Sequence, residues 1–312
     1  MKVIKFLLTV IIVISTVAAI PSSAQEVDPN SVKTVEQLYP NLASGVLTYA
    51  KIALLPENIL LRAEGTEINS KDLDEAISKQ PIQLQQELKD NAFFVLEQEA
   101  TGKLLKVLAR KHLSKQGKDT SSMTDQQTFQ DYFEDLTKEI TVTDKDVETF
   151  YKENESIFCG TPLDSVRKQI QSYVLQDKKQ RFVDEYIKTV GQRIDIQVSD
   201  SWTKNQNQHA KDNPIDKARS NGKPTLAVFS AKSCCGPDKM LPVIDGIRAK
   251  YSDKINTVYV EPQKEQILSA RYGIRSIPTQ IFYDAKGKET FRHSGFFSDT
   301  DIVTKLSEIG VK

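Results

Sequence analysis

The chain has 312 residues, with 42 basic and 42 acidic side chains and a formal net charge of zero with histidine neutral. That balance excludes the broad basic field that nucleic-acid binding relies on. With 39% apolar and 27% charged residues, the composition is that of a folded globular protein long enough for two domains.

Lys2 and Lys5 precede an apolar run over residues 6–20, and PSSA follows at residues 21–24. A charged start, an apolar middle and a small-residue end make a secretory signal peptide, with cleavage expected after Ala24. The run is short for a membrane span, so no span is expected in the mature chain. No cysteine follows the cleavage site to take a lipid. The expected location is the periplasm, reached across the inner membrane. Only three cysteines are present, Cys159, Cys234 and Cys235. That is too few for a disulfide scaffold, and an adjacent pair in an oxidising compartment points to thiol chemistry.

Residues 25–202 read as a mostly helical domain. The stretch ILLRAEGTEI, starting at Ile59, reads as a strand. In NSKD, Asn69 is placed to cap a helix, Asp72 stands three residues on, and Ile68 can staple to Leu73. Thr143 and Asp146 repeat the device. Between them Leu84, Leu88, Val95, Leu96, Leu104, Val107 and Leu108 keep helical spacing through a long segment ending near Gly117. A third long helix is expected from Thr161-Pro162, with threonine as cap and proline first in the helix. Its apolar side carries Leu163, Val166, Ile170, Tyr173, Val174, Phe182, Tyr186 and Val190. A short strand over residues 194–198 closes the domain. Beyond Trp202, residues 203–213 (TKNQNQHAKDN) hold no large apolar side chain and read as a linker. His209 reads there as a solvated polar residue.

These pieces, over roughly residues 57–202, resemble the N-terminal chaperone domain of SurA- and PpiC-type periplasmic foldases. The match rests on ILLRAEGTEI, NSKDLDEAI, FFVLEQEATGKLLKVLARK, VTDKDVETFYKEN and PLDSVRKQIQSYVLQDKKQRFVDEYI. In catalytic relatives an isomerase domain stands between the last two pieces; here only Phe158, Cys159, Gly160 and Thr161 do. Prolyl isomerase activity is therefore not implied. The resemblance implies a cradle for unfolded polypeptide, while apolar stripes at helical spacing equally describe a packed scaffold or a dimer face.

Residues 214–312 alternate between strand and helix. Strands are expected at 225–230, 255–260, 279–283 and 289–293, with helices at 236–251, 264–272 and 299–309 and a turn at Lys286-Gly287-Lys288. That order makes a compact α/β sheet. LAVFSAKSC, Pro242 and YGIRSIPTQIF resemble thioredoxin, and Gly295 matches the family's glycine before the last helix. The fold class expected for the chain is α+β in two domains: the helical SurA-like domain, then a thioredoxin fold with a central mixed sheet flanked by helices. The resemblance implies a cis bond at Ile277-Pro278, facing the redox cysteine.

The loop FSAKSCCGPDKMLP carries the chemistry. Thioredoxins have four residues between the strand phenylalanine and the first cysteine, and seven between that cysteine and the helix proline. Phe229, Cys234 and Pro242 meet both spacings without a gap. Cys234 then stands at the nucleophile position, followed by Cys235 and Gly236, with Pro237 where the resolving cysteine belongs. A rival alignment takes Cys235 as the nucleophile and Asp238 as the resolving position, at the expense of a one-residue insertion. Both lack the usual resolving thiol, and Val228 replaces the buried aspartate that serves it. A thiol at a helix N-terminus is favoured as thiolate, the nucleophilic form. A mixed disulfide with a client would then wait for another thiol. Cys235 could supply it through a strained eight-membered ring. Cys159 is a second candidate, although a small apolar residue at a helix junction is its plainer reading. Adjacent thiolates suit copper(I), but no Met or His stands at ligand spacing, so neither a metal nor another cofactor is expected.

The sequence thus reads as an exported protein in thiol–disulfide exchange or folding of exported clients. Cys234 and Cys235 carry the chemistry, and Gly236, Pro237, Ile277 and Pro278 form the client groove. The alternative is a non-catalytic peptide-binding holdase or scaffold with a degenerate thioredoxin domain. The expected partners are unfolded or exported proteins and a redox partner the sequence does not name.

Overall fold

Helix starts follow the short-range chemistry of the sequence. The computed structural model describes residues 32–40, 42–231 and 240–311, apart from the side chains of residues 156 and 157. The signal peptide expected at residues 1–24 lies outside these. Thr34 caps a single turn, α1 (Val35–Leu38). Strand β1 (Lys51–Ala53) follows, then β2 (Ile59–Ala63) and β3 (Thr66–Asn69). The stretch expected as one strand is therefore a hairpin. Its turn is Glu64-Gly65, and Gly65 takes a φ of 71° that suits glycine.

Helix α2 (Ser70–Ser78) opens on the expected capping box. The Asn69 side chain accepts from Asp72 N–H and the Asp72 carboxylate from Asn69 N–H, both at 2.9 Å. Ile68 and Leu73 beside it are buried. The long helical segment divides at Asn91 into α3 (Ile82–Asp90) and α4 (Ala92–Lys115). Leu96 and Leu104 are buried as expected, while Val107 faces solvent. Helix α5 (Asp125–Thr137) has its own capping box, Thr124 with Gln127, and α6 (Asp144–Glu153) has the expected one, Thr143 with Asp146.

A 3₁₀ turn (Glu155–Phe158) leads to α7 (Leu163–Arg193). Here Pro162 is the cap residue, and the side chain of Thr161 caps nothing, contrary to expectation. Thr161 belongs to the preceding turn instead: its N–H bonds Phe158 O and its carbonyl accepts from Tyr151 Oη at 2.8 Å. Along α7, Ile170, Val174 and Val190 are buried, but Tyr173 and Phe182 are exposed.

Strand β4 (Ile196–Ser199) lies between β1, parallel to it, and β2, antiparallel, giving a sheet of order β1-β4-β2-β3. Its inward face and α2, α3, α4 and α7 enclose the main core of this part, with Leu61, Ile68, Phe93, Leu96, Ile196 and Val198 almost fully buried.

The residues expected as a linker are largely helix α8 (Asp200–Ala210). Its polar side chains take the outer face, while Thr203 and Ala210 are buried and Trp202 stacks on Phe93 at 6.0 Å. Short side chains let the helix lie against α3 and α4, so the absence of large apolar residues does not mark a break in the chain. Asn213 then caps α9 (Pro214–Arg219), a helix not anticipated.

The second sheet is built from β5 (Thr225–Phe229), β6 (Asn256–Val260), β7 (Thr279–Tyr283) and β8 (Glu289–Ser294), in the order β6-β5-β7-β8. Strands β5 and β6 are parallel, while β7 is antiparallel to both β5 and β8. Helices α10 (Met240–Tyr251) and α12 (Asp299–Glu308) cover one face, and α9 and α11 (Gln266–Arg271) the other. The mixed sheet flanked by helices agrees with the sequence. Strand β5 is buried throughout, with Leu226 and Val228 facing α10 and Ala227 and Phe229 facing α11. Ile267 of α11 enters the core of the helical part, so the two parts share a packed seam. Among the described residues no helix is long and apolar enough to cross a membrane.

Candidate redox site

Cys234, Cys235, Gly236 and Pro237 lie outside the described residues, within 232–239. The elements on either side of that loop are described. Phe229 ends β5 fully buried with its ring 6.0 Å from that of Tyr272, and Ser230 N–H bonds Val260 O at 3.1 Å. Met240, where α10 is first described, is buried. Val228 is fully buried among Met240, Ile244, Phe282 and Ile302, so the position of the family's proton-carrying aspartate is apolar here.

The Ile277–Pro278 peptide bond is cis, as the resemblance implies. Pro278 O accepts from Gly295 N–H at 2.8 Å, and Gly295 O accepts from Gln280 Nε2 at 3.1 Å. These bonds tie the β7 start to the end of β8. Ile277 is 38% exposed beside them. The His293 ring stacks on Phe297 at 4.4 Å, and burial holds its imidazole below the usual range against the opposing charge of Glu153.

The third side of this region comes from the helical part. A Cβ on Gly295 would stand 2.5 Å from Asn154 Oδ1, and Gly295 has a φ of 116°. Only glycine allows both the backbone conformation and this approach. Asn154 is buried, and its Nδ2 donates to Phe150 O at 2.9 Å. Arg275, just before the cis-proline, forms an ion pair with Asp184 of α7. The turn that follows α6 is thus held against Gly295, one hydrogen bond from Pro278.

That turn carries Cys159, which is disulfide-bonded. The plainer reading of Cys159, a small apolar residue filling a helix junction, is therefore corrected. The chain's other cysteines are Cys234 and Cys235. Cys159 has a φ of 52°, a left-handed conformation uncommon for a residue with a side chain, and Gly160 follows at 80°. The Tyr151–Thr161 hydrogen bond and the stacking of Phe158 on Tyr151 at 5.0 Å hold this turn in shape. An odd cysteine beside a glycine, in a chain with an adjacent cysteine pair, was the available signal in the sequence.

A buried charge cluster lies at the same seam and was not foreseen. Asp216 pairs with Arg219 and with Arg271, whose Nη2 lies 3.5 Å away, and accepts from Tyr272 Oη at 2.9 Å. Arg271 Nη1 also donates to Asn91 Oδ1 and Ala210 O, both at 3.0 Å. Burial, followed by the charge of Asp216, pushes the Tyr272 hydroxyl far up, so it stays protonated as the donor. Among the described residues, no cluster of three or more His, Cys, Asp or Glu side chains could hold a metal ion.

Comparison with known proteins bears on the second sheet. Residues 211–310 match the family of the thioredoxin-like domain. Thioredoxin 1 of Synechococcus elongatus is 43% identical over 69 residues, which is 22% of this chain and 64% of that protein. The thioredoxin of Borreliella burgdorferi is 37% identical over 67 residues, covering 21% of this chain and 56% of the relative. The chain thus spans less than two thirds of the length of these relatives. Among solved structures, the exposed lipoprotein thioredoxin of Streptococcus pneumoniae is 24% identical, covering 28% of this chain and 87% of its own, with a TM-score of 0.24.

Proposed function

With a thioredoxin-like domain at residues 211–310 as the premise, we propose that this chain exchanges thiols and disulfides with exported polypeptides in the periplasm. Cys234 is the nucleophile in this reading, with Cys235 beside it, and Gly236, Pro237, Ile277 and Pro278 shape the client groove. The Cys234 thiolate attacks one sulfur of a client disulfide. A mixed disulfide forms and the client's other sulfur leaves as a thiolate, which takes a proton. The observation that carries the proposal is the thioredoxin-like match itself, which takes in both loop cysteines and the Ile277-Pro278 pair. Residues 57–202 act beside it as a SurA- or PpiC-like domain without isomerase activity.

Alkylation of the reduced single-serine variants at neutral pH tests the assignment. Cys234→Ser is expected to remove the fast-labelling thiol and the reduction of insulin, while Cys235→Ser keeps both. The reverse pattern would move the nucleophile to Cys235. A second reading, a holdase, is favoured by a cleft of about 410 Å³ between α6 and α7. Phe150, Tyr173, Lys145, Asp146, Glu153 and Asp177 are among the residues that line it, with the Phe150 and Tyr173 ring centroids 5.0 Å apart. Suppression of client aggregation by the variant lacking all three cysteines would support that reading.

A further inference from the structure

We infer that the cleft between α6 and α7 holds an extended polypeptide segment with an acidic, an apolar and a basic side chain at alternate positions; this names the client class of the holdase reading above and rests on it. The middle of the cleft is aromatic. The Phe150 and Tyr173 rings meet at 5.0 Å with a tilt of 43°, and Tyr173 remains 42% exposed. Phe150 is backed by Phe158, edge-on at 6.4 Å, and Val147 and Val174 beside it are buried. A ring braced on one side and open on the other gains contact area at small entropic cost when an apolar side chain covers it.

Four charged side chains line the cleft, and they are of two kinds. Asp146 is taken by Lys178 at 2.7 Å and Asp177 by Arg181 at 2.8 Å. Lys145 and Glu153 are exposed and form no ion pair among the described residues. His293, across the seam, feels the Glu153 charge, but burial pushes its imidazole down and leaves it neutral at pH 7. Lys145 lies in the first turn of α6 and Glu153 is its last residue, the ends at which the helix dipole disfavours each charge. Neither is therefore placed to stabilise the helix itself.

The spacing fits an extended chain. Lys145, Thr149 and Glu153 follow at four-residue intervals along one side of α6. Their ends are about 12 Å apart at the helical rise per residue. In an extended segment, side chains at i, i+2 and i+4 share one face and span about 13 Å. An acid opposite Lys145, an apolar side chain on Phe150 and Tyr173, and a base opposite Glu153 then stand in register. The contacts are made by side chains, so the segment is read in either chain direction.

The test uses the full reduced chain and fluorescein-labelled serine–glycine peptides. These contain no cysteine, so disulfide exchange contributes nothing. One probe carries aspartate, leucine and lysine at alternate positions; two others flank the leucine with two aspartates or two lysines. Fluorescence anisotropy is expected to show the mixed-charge probe bound about fivefold more tightly than the others. Glu153→Lys should move the preference to the doubly acidic probe, and Lys145→Glu to the doubly basic one. Tyr173→Ser should weaken all three about tenfold. All three substituted side chains are exposed, so the fold is retained. Equal binding of the probes by wild type, or a preference that neither charge variant moves, overturns the assignment. If wild type suppresses client aggregation but binds no probe, the holdase reading stands and the role of the cleft falls. If it does neither, both fall. Sedimentation as a dimer that Tyr173→Ser dissociates would give the cleft to a second copy and overturn the assignment.

Discussion

Two buried carboxylates hold this molecule together in different ways. In the helical part Glu97 is almost fully buried and forms no ion pair among the described residues. It accepts from the backbone N–H groups of Ser44 at 3.0 Å, Gly45 at 2.9 Å and Leu47 at 3.1 Å. At the seam with the second sheet, Asp216 is equally buried but is surrounded by Arg219, Arg271, Tyr272 and Asn213. Glu97 organises a stretch of backbone some fifty residues away and leaves its partners neutral. Asp216 neutralises charges that would otherwise be stranded between α9, α11 and the helical part. Removing the two acids should therefore have unequal consequences.

The largest effect is expected at Asp216. Asp216→Ala leaves Arg219 and Arg271, 7% and 8% exposed, buried without a counter-charge. Breaking such a cluster from one side costs about 3–5 kcal/mol, read as a fall in the urea midpoint. A loss below ~1 kcal/mol would show that water reaches the guanidinium groups.

Glu97→Gln sharpens the contrast. One carboxylate oxygen faces Ser44 N–H and the other faces Gly45 and Leu47, so an amide must turn its NH₂ toward a donor. An unsatisfied buried pair of this kind costs about 1–3 kcal/mol. A variant as stable as wild type would mean that the turn at residues 44–47 repacks.

Next comes Thr143→Ala, which removes a local cap. Thr143 Oγ1 accepts from Asp146 N–H at 3.2 Å, and the Asp146 carboxylate answers Thr143 N–H at 2.8 Å. The expected loss is about 1 kcal/mol. It should be the same with and without reductant, because the cap does not depend on Cys159.

The smallest effect distinguishes the two parts by pH. Burial raises the Glu97 carboxyl against three backbone N–H bonds and the Ser44 hydroxyl that lower it. Its contribution is full below the ordinary glutamate pKa and is lost as pH rises through the higher folded value. Burial lowers His293, with Glu153, the Phe296 backbone and Asp301 opposing. The folded chain therefore takes up this proton less readily than the unfolded one. Stability from His293 is full above the ordinary histidine pKa and declines as pH falls through it toward the lower folded value. Melting curves at pH 5.5 and 7.5 should show a shallower acid-side loss in His293→Gln than in wild type. An unchanged slope would place His293 outside this linkage.

Much of both parts was legible wherever a structure depends on neighbours in sequence. The capping boxes at Asn69 and Thr143 join residues three apart, and β5 and β7 announce themselves as short apolar runs. The Ile277-Pro278 pair sits in a motif specific enough to imply its cis bond. The errors fall where long-range packing overrode local composition. Residues 203–210 are polar enough for a linker, yet Trp202 on Phe93 and buried Thr203 and Ala210 fix them as helix α8. Strand β4 is a weak signal of four residues, and its place between β1 and β2 depends on partners more than 130 residues away.

The sequence by itself determined the local grammar: where helices begin, which strands are buried, and which loop holds the adjacent cysteines. Only the tertiary structure decided that Asn154 meets Gly295, that Asp216 gathers two arginines, and that Cys159 carries a disulfide. The physical reason is distance along the chain. A cap or an apolar alternation is an interaction within one turn or one strand, written in adjacent letters. A disulfide or a buried ion cluster joins side chains that become neighbours only after the main cores have formed.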